Sequence, residues 1–220
     1  MKLSIRRSVP VVKSPRVLQL AGLFDVPPSA ESENRWEVDL PVEAADWQVG
    51  LVVGPSGSGK STLAREAWPD ALVDGYAWSP DRSVVDDFPA DLSIKDVTGL
   101  LSSVGFSSPP SWLRPFAHLS NGEQFRVTLA RALADVRPVV VVDEFTSVID
   151  RTVARVGSAA VAKAVRRTPG KKFVAVTCHY DVEGWLCPDW VVEMPAGTFA
   201  RRSLRRPPID LEVRRVHPAA

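Results

Sequence analysis

Hydrophobic positions along the chain recur with two different periods. Val49-Gly50-Leu51-Val52-Val53 and Val139-Val140-Val141-Val142 are nearly unbroken apolar runs, the pattern of strands buried on both faces. Phe173 to Thr177 reads as a further strand of the same set. Arg35-Trp36-Glu37-Val38-Asp39-Leu40 alternates apolar and polar residues instead, as a half-buried antiparallel strand does. Helical periodicity governs Ser93 to Val104, Asn121 to Ala134 and Arg151 to Arg167, and Ser61 to about Ala67 reads as a helix stopped near Pro69. Val17-Leu18-Gln19-Leu20 is expected to be a first strand, with another near Asp74 to Trp78 and a pair of short strands at the C-terminal end. Residues 1–16 are expected to be an irregular or edge segment, and 27–34 and 107–111, rich in Pro and Ser, to be loops. Strands alternating with helices predict an α/β fold with a mainly parallel sheet flanked by helices and an antiparallel β portion.

Composition narrows this picture only slightly. A chain of 220 residues accommodates one α/β domain with a sizeable core, and residues 1–220 are read as such. The net charge of +1 argues neither for nor against a nucleic-acid or membrane partner. Charge is uneven, however: Arg201, Arg202, Arg205, Arg206, Arg214 and Arg215 face only Asp210 and Glu212, so 201–220 reads as a basic C-terminal extension. Two cysteines, Cys178 and Cys187, define no disulfide framework and no four-ligand zinc site, and fit a reducing, cytoplasmic compartment. The first residues carry basic side chains without an apolar stretch behind them, so no secretory signal is expected. No run approaches the ~20 apolar residues of a membrane-spanning helix.

Three motifs carry the chemistry. Gly54-Pro55-Ser56-Gly57-Ser58-Gly59-Lys60-Ser61-Thr62 satisfies G-x-x-x-x-G-K-S between a buried strand and a helix, the context of a phosphate loop. Its glycines let successive N–H groups turn inward around phosphates at the positive end of a helix. Lys60 supplies a cation for the β- and γ-phosphates, and the Ser61 hydroxyl can ligate Mg²⁺. This predicts a P-loop NTPase that binds a nucleoside triphosphate with Mg²⁺. The strand 139–142 ends in Asp143 and Glu144. Asp143 is placed to hold Mg²⁺ through water, and Glu144 to act as general base or water-positioning group. Finally, Leu119-Ser120-Asn121-Gly122-Glu123-Gln124 opens an amphipathic helix, with Ser120 as its cap and an anion-favouring N-terminus.

The last string resembles the signature motif of ATP-binding-cassette (ABC) ATPases, usually written LSGGQ, and stands immediately before the acidic strand as in that family. The resemblance covers roughly residues 17–200. Ser147-Val148-Ile149-Asp150 resembles the family's D-loop, and His179 stands where its switch histidine sits. The resemblance implies a head-to-tail dimer closing over two ATP molecules. Ser120 and Gly122 of one copy would face the γ-phosphate held by Lys60 of the other, with Asp150 at the same composite site and His179 near Glu144. Phe24 is the candidate for stacking on adenine. Two departures matter. No glutamine lies between Gln48 and Gln124, so the Q-loop glutamine is missing, with Asp86 or Asp87 as substitutes. The stretch between Gly54 and Ser120 is shorter than in transporter cassettes, which implies a small helical subdomain at about 86–134. Together these point to a soluble ATPase switch acting on DNA or a protein complex, with the nucleotide-binding subunit of a membrane transporter as the alternative. A small-molecule kinase is disfavoured, because kinases do not need the 119–124 helix start.

Overall fold

Strands β1 (Lys2–Pro10) and β2 (Glu31–Asp39) pair antiparallel, with Lys2 opposite Asp39 and Pro10 opposite Glu31. Helix α1 (Pro15–Leu23) is inserted between them. Then follow β3 (Val49–Val53), α2 (Lys60–Ala67), β4 (Leu72–Val73), α3 (Ile94–Ser103), α4 (Pro109–Trp112), α5 (Asn121–Leu133) and β5 (Val139–Val142). The last elements are α6 (Arg151–Arg167), β6 (Lys172–Thr177), α7 (Val182–Leu186), β7 (Trp190–Glu193) and β8 (Thr198–Arg201). The computed structural model describes residues 1–201 except Pro28, Ala30, Ala45 and Asp74. All of the basic extension but Arg201 lies outside the described residues.

One sheet has the strand order β4-β5-β6-β3-β7-β8 and is parallel except for β8. Its unbroken apolar strands follow from having both faces covered. Leu51 and Val53 of β3, Val140 of β5 and Phe173 and Ala175 of β6 face a core closed by α3, α5 and α6. The alternate residues Val52, Val141, Val174 and Val176 point the other way, onto Leu63 and Ala64 of α2 and Ile5 and Val38 of the β1–β2 pair. Each such side chain contributes about 1.5–3 kcal/mol relative to exposure. This burial anchors the strand ends from which the functional loops emerge.

The structure corrects four expectations. Val17 to Leu20 belong to helix α1, not a strand: the Ser14 hydroxyl accepts from Val17 N–H and Pro15 opens the first turn, a preorganised helix start. Near Asp74 to Trp78 only Leu72–Val73 pairs as a strand, and Tyr76 and Trp78 instead pack against the core beyond it. The expected loop at 107–111 contains the helical turn α4, begun by Pro109 and Pro110. Of the expected loop at 27–34, Glu31 to Asn34 belong to strand β2, whereas the segment 1–16 does hold an edge strand, β1 of the two-stranded sheet.

The turn from α5 to β5 is held by ions. Arg137 donates from its backbone N–H and Nε to Asp135 Oδ1, at 3.0 and 2.9 Å. The buried Lys171 donates from Nζ to the Arg137 carbonyl at 3.0 Å. Burial pushes the Asp135 carboxyl up, but the hydrogen bonds from Arg137 outweigh it and hold the group at about 2. A depressed carboxyl stabilises the fold above its unfolded value, and that contribution disappears as pH falls through the folded value. Asp135→Asn is therefore expected to cost about 1–3 kcal/mol at pH 7, a difference that closes between about pH 4 and pH 2. Urea unfolding of both proteins across that range measures it.

Candidate functional site

Strands β3, β6 and β5 are parallel neighbours, so the chain leaves all three at one edge of the sheet. Gly54 to Thr62 follows β3, Asp143 and Glu144 follow β5, and Cys178 and His179 follow β6. At ~4.8 Å per strand the loops after β3 and β5 flank β6 at about 10 Å from one another. The fold thus gathers three of the sequence-predicted groups that lie far apart along the chain.

The loop Gly54–Gly59 wraps the start of α2. Gly59 occupies the N-cap position at φ +92° and offers no side chain to the first-turn N–H groups. Those donors stay open to an anion. Lys60 is buried at 8% exposure, with Nζ donating to the Pro55 carbonyl at 2.8 Å. Ser58 Oγ is buried without a hydrogen-bond partner, and a Cβ on Gly57 would meet nothing within 4 Å. Converging donors, an orphaned hydroxyl and a cation fit a polyphosphate. Ser61 and Asp143 supply the hard oxygen donors that suit Mg²⁺. Ser56 lies within the loop and Thr62 in the first turn of α2.

Glu144 is exposed and has a left-handed backbone, φ +49°, and the buried Thr146 another at +68°. Two such residues in one turn cost energy that the surrounding structure must offset. The turn presents the Glu144 carboxylate, and Ser147 Oγ donates to its Oε2 at 2.6 Å. Thr146 Oγ1 lies 3.4 Å from His179 Nδ1, joining the loop after β5 to the histidine after β6.

Ser120 caps α5 in a capping box: its N–H and hydroxyl donate to Glu123 Oε2 at 2.9 and 2.8 Å. The backbone bond from Ser120 holds the Glu123 carboxyl below its usual range. α5 rests on α3 and α6, and a Cβ on Gly122 would lie 3.4 Å from Val153 Cγ1. Asp150 caps α6 through Thr152 N–H at 2.7 Å, which keeps its carboxyl ionised below the ordinary range. Ser120, Gly122 and Asp150 therefore flank the adjoining starts of two helices.

Phe24 stands at the end of α1 rather than at a strand end. It is 65% exposed and lines a cavity of about 500 Å³ with Val11, Val17, Leu20 and Val26. The aromatic ring against the phosphate loop is Trp36 of β2, within 2.6 Å of where a Gly59 Cβ would stand. The alternating strand that carries Trp36 is visible in the sequence, but its approach to Gly59 is not. Asp86 and Asp87 make local bonds, accepting from Ser83 and Ser79.

No family model matches the chain. It is 32% identical over 199 residues to the Fe(3+) ions import ATP-binding protein FbpC of Streptomyces avermitilis, covering 74% of this chain and 56% of that protein. It is 29% identical over 212 residues to the spermidine/putrescine import ATP-binding protein PotA of Pseudomonas fluorescens, covering 81% and 57%. Over 118 residues it is 26% identical to the ribosome protection protein VmlR of Bacillus subtilis, covering 45% of this chain and 21% of that protein. The chain thus spans about half of FbpC and PotA and about a fifth of VmlR. Among solved structures, the dimeric bacterial ABC transporter cassette MJ0796 shares the fold at a TM-score of 0.58 and 18% identity, over 76% of this chain and 92% of that one. An Atm1-family ABC exporter with ATP bound matches at 0.53 and 18%, over 74% and 33%. The solved neighbours share the fold, and by its sequence relatives the chain belongs to the ATP-binding-cassette ATPase family.

Proposed function

We propose that the chain binds and hydrolyses ATP, and that two copies close head to tail over two ATP molecules as a switch. The observation that carries this reading is the common sheet edge holding the uncapped start of α2, the Asp143–Glu144 turn and His179. Gly54 to Thr62 cradles the phosphates with backbone N–H groups, and Lys60 turns from the Pro55 carbonyl to the β- and γ-oxygens. Ser61, and Asp143 through water, would hold Mg²⁺, which would supply positive charge to the phosphate oxygens. Glu144, oriented by Ser147, positions the attacking water and takes its proton. His179 donates to the γ-phosphate. Ser120 and Gly122 of the second copy complete the site, with Asp150 beside them.

The relative VmlR, a ribosome protection protein, favours a switch acting on a protein or nucleic-acid complex in the cytoplasm. The import proteins FbpC and PotA favour the second reading, a nucleotide-binding subunit of a membrane transporter. Among the described residues no helix is long and apolar enough to cross a membrane. Phosphate release from ATP by the purified chain, dependent on Mg²⁺ and accompanied by a sedimentation shift to twice the mass, is the expected result. Absence of both ATP binding and phosphate release would overturn the reading. Stoichiometric recovery of a polytopic membrane protein in detergent would select the transporter over the switch.

A further inference from the structure

Arg151, the first residue of α6, reaches across to the segment that follows β6. Its Nε donates to Asp181 Oδ2 at 3.1 Å, and Nη2 forms an ion pair with Asp181 Oδ1. The guanidinium carbon lies 4.9 Å from the centre of the Trp185 ring. Bidentate pairing and stacking together fix a guanidinium plane as neither does alone. That leaves Nη1, which lies 3.2 Å from His179 Nδ1 and 3.5 Å from Thr146 Oγ1. Arg151 thus joins α6 to the segments after β5 and β6 that carry Thr146 and His179.

A guanidinium has N–H donors and no acceptor, and it is charged at every accessible pH. A hydrogen bond between Nη1 and Nδ1 therefore requires a lone pair on Nδ1, which puts the imidazole proton on Nε2. Thr146, accepting from Arg151, can turn its own proton toward the same Nδ1. We propose that Arg151 is a positioning residue that holds His179 as the Nε2–H tautomer, leaving the far side of the ring as a hydrogen-bond donor. This rests on the ATPase reading only for its consequence, donation from Nε2 to the γ-phosphate. The tautomer itself follows from the chain's own contacts. Arg151 directly follows Asp150, whose cap fixes the start of α6, so a shift of that turn on dimer closure also moves the group orienting His179.

Two measurements test this. In ¹⁵N-labelled protein without nucleotide, the His179 ring nitrogens are expected to show a protonated Nε2 and an unprotonated Nδ1. The chain's three histidines make assignment practicable, using His179→Gln as the reference. Arg151→Met, and Asp181→Asn as a milder variant that loosens the same clamp, are expected to shift the ring toward a mixture of tautomers. In the ATPase assay, Arg151→Met is expected to lower kcat about 10- to 100-fold, as loss of a group orienting a functional histidine does elsewhere, with KM for ATP nearly unchanged. Arg151→Met combined with His179→Ala should be no slower than His179→Ala alone. A protonated Nδ1 in the wild-type protein, an unchanged ring in both clamp variants, or losses that multiply in the double variant would overturn the assignment. If the wild-type chain failed to hydrolyse ATP, the ring nitrogens would still decide the tautomer, separating this inference from the ATPase reading.

Discussion

Glu144→Gln is expected to lower the steady-state rate of ATP hydrolysis about 10²-fold or more, the usual contribution of a positioned general base, while leaving ATP affinity within about two-fold. The local structure makes the substitution clean. Glu144 is exposed, and its left-handed backbone belongs to the turn rather than to the carboxylate. Ser147 Oγ can donate to a glutamine oxygen as it does to Oε2. The fold should therefore be retained, with a melting temperature within a few degrees of the wild type. A variant that binds ATP but cannot turn it over should accumulate as a nucleotide-bound dimer, visible by sedimentation with Mg²⁺ and ATP. Phosphate release near the wild-type rate would remove Glu144 from the role of base. A stalled but monomeric variant would instead leave the chemistry intact and remove the head-to-tail dimer.

The elements legible in the residues are those whose pattern is enforced from two sides. β3, β5 and β6 are covered on both faces, so they appear as continuous apolar runs. α5 and α6 announce themselves through their caps Ser120 and Asp150 as well as their apolar stripes. α1 reads as a strand in the sequence because its apolar residues face a surface cavity rather than the core, and Val17 to Leu20 is too short a window to separate a period of 2 from one of 3.6. The helical signal is the spacing of Val17, Leu20, Ala21 and Phe24 with Ser14-Pro15 ahead of it. For the site, motif spacing reached the residues that meet phosphate chemistry. It could not reach Trp36 against Gly59 or Arg151 against His179. The first depends on how the β1–β2 pair lies over α2 and the second on β5 lying beside β6, and no local pattern records either.

Lys60→Ala is expected to weaken ATP binding about 10²-fold or more, measured by calorimetric titration. Lys60 is the cation held inside the loop, buried with its ammonium on the Pro55 carbonyl. A charge-assisted hydrogen bond contributes about 1.5–3 kcal/mol, roughly ten- to more than a hundred-fold in affinity for one phosphate contact, and a buried ammonium between β- and γ-oxygens makes several. The substitution also removes the bond to Pro55, so the free protein should lose at most a few degrees of melting temperature. That modest loss separates a damaged site from a damaged fold. Lys60→Arg sharpens the test. It keeps the charge but replaces a compact ammonium with a planar fork at a position only 8% exposed. It is expected to bind ATP more weakly than the wild type despite the retained charge, because the loop is built around the shape of the lysine. Unchanged affinity in Lys60→Ala would detach the loop from the nucleotide and leave Gly54 to Thr62 as a turn between β3 and α2.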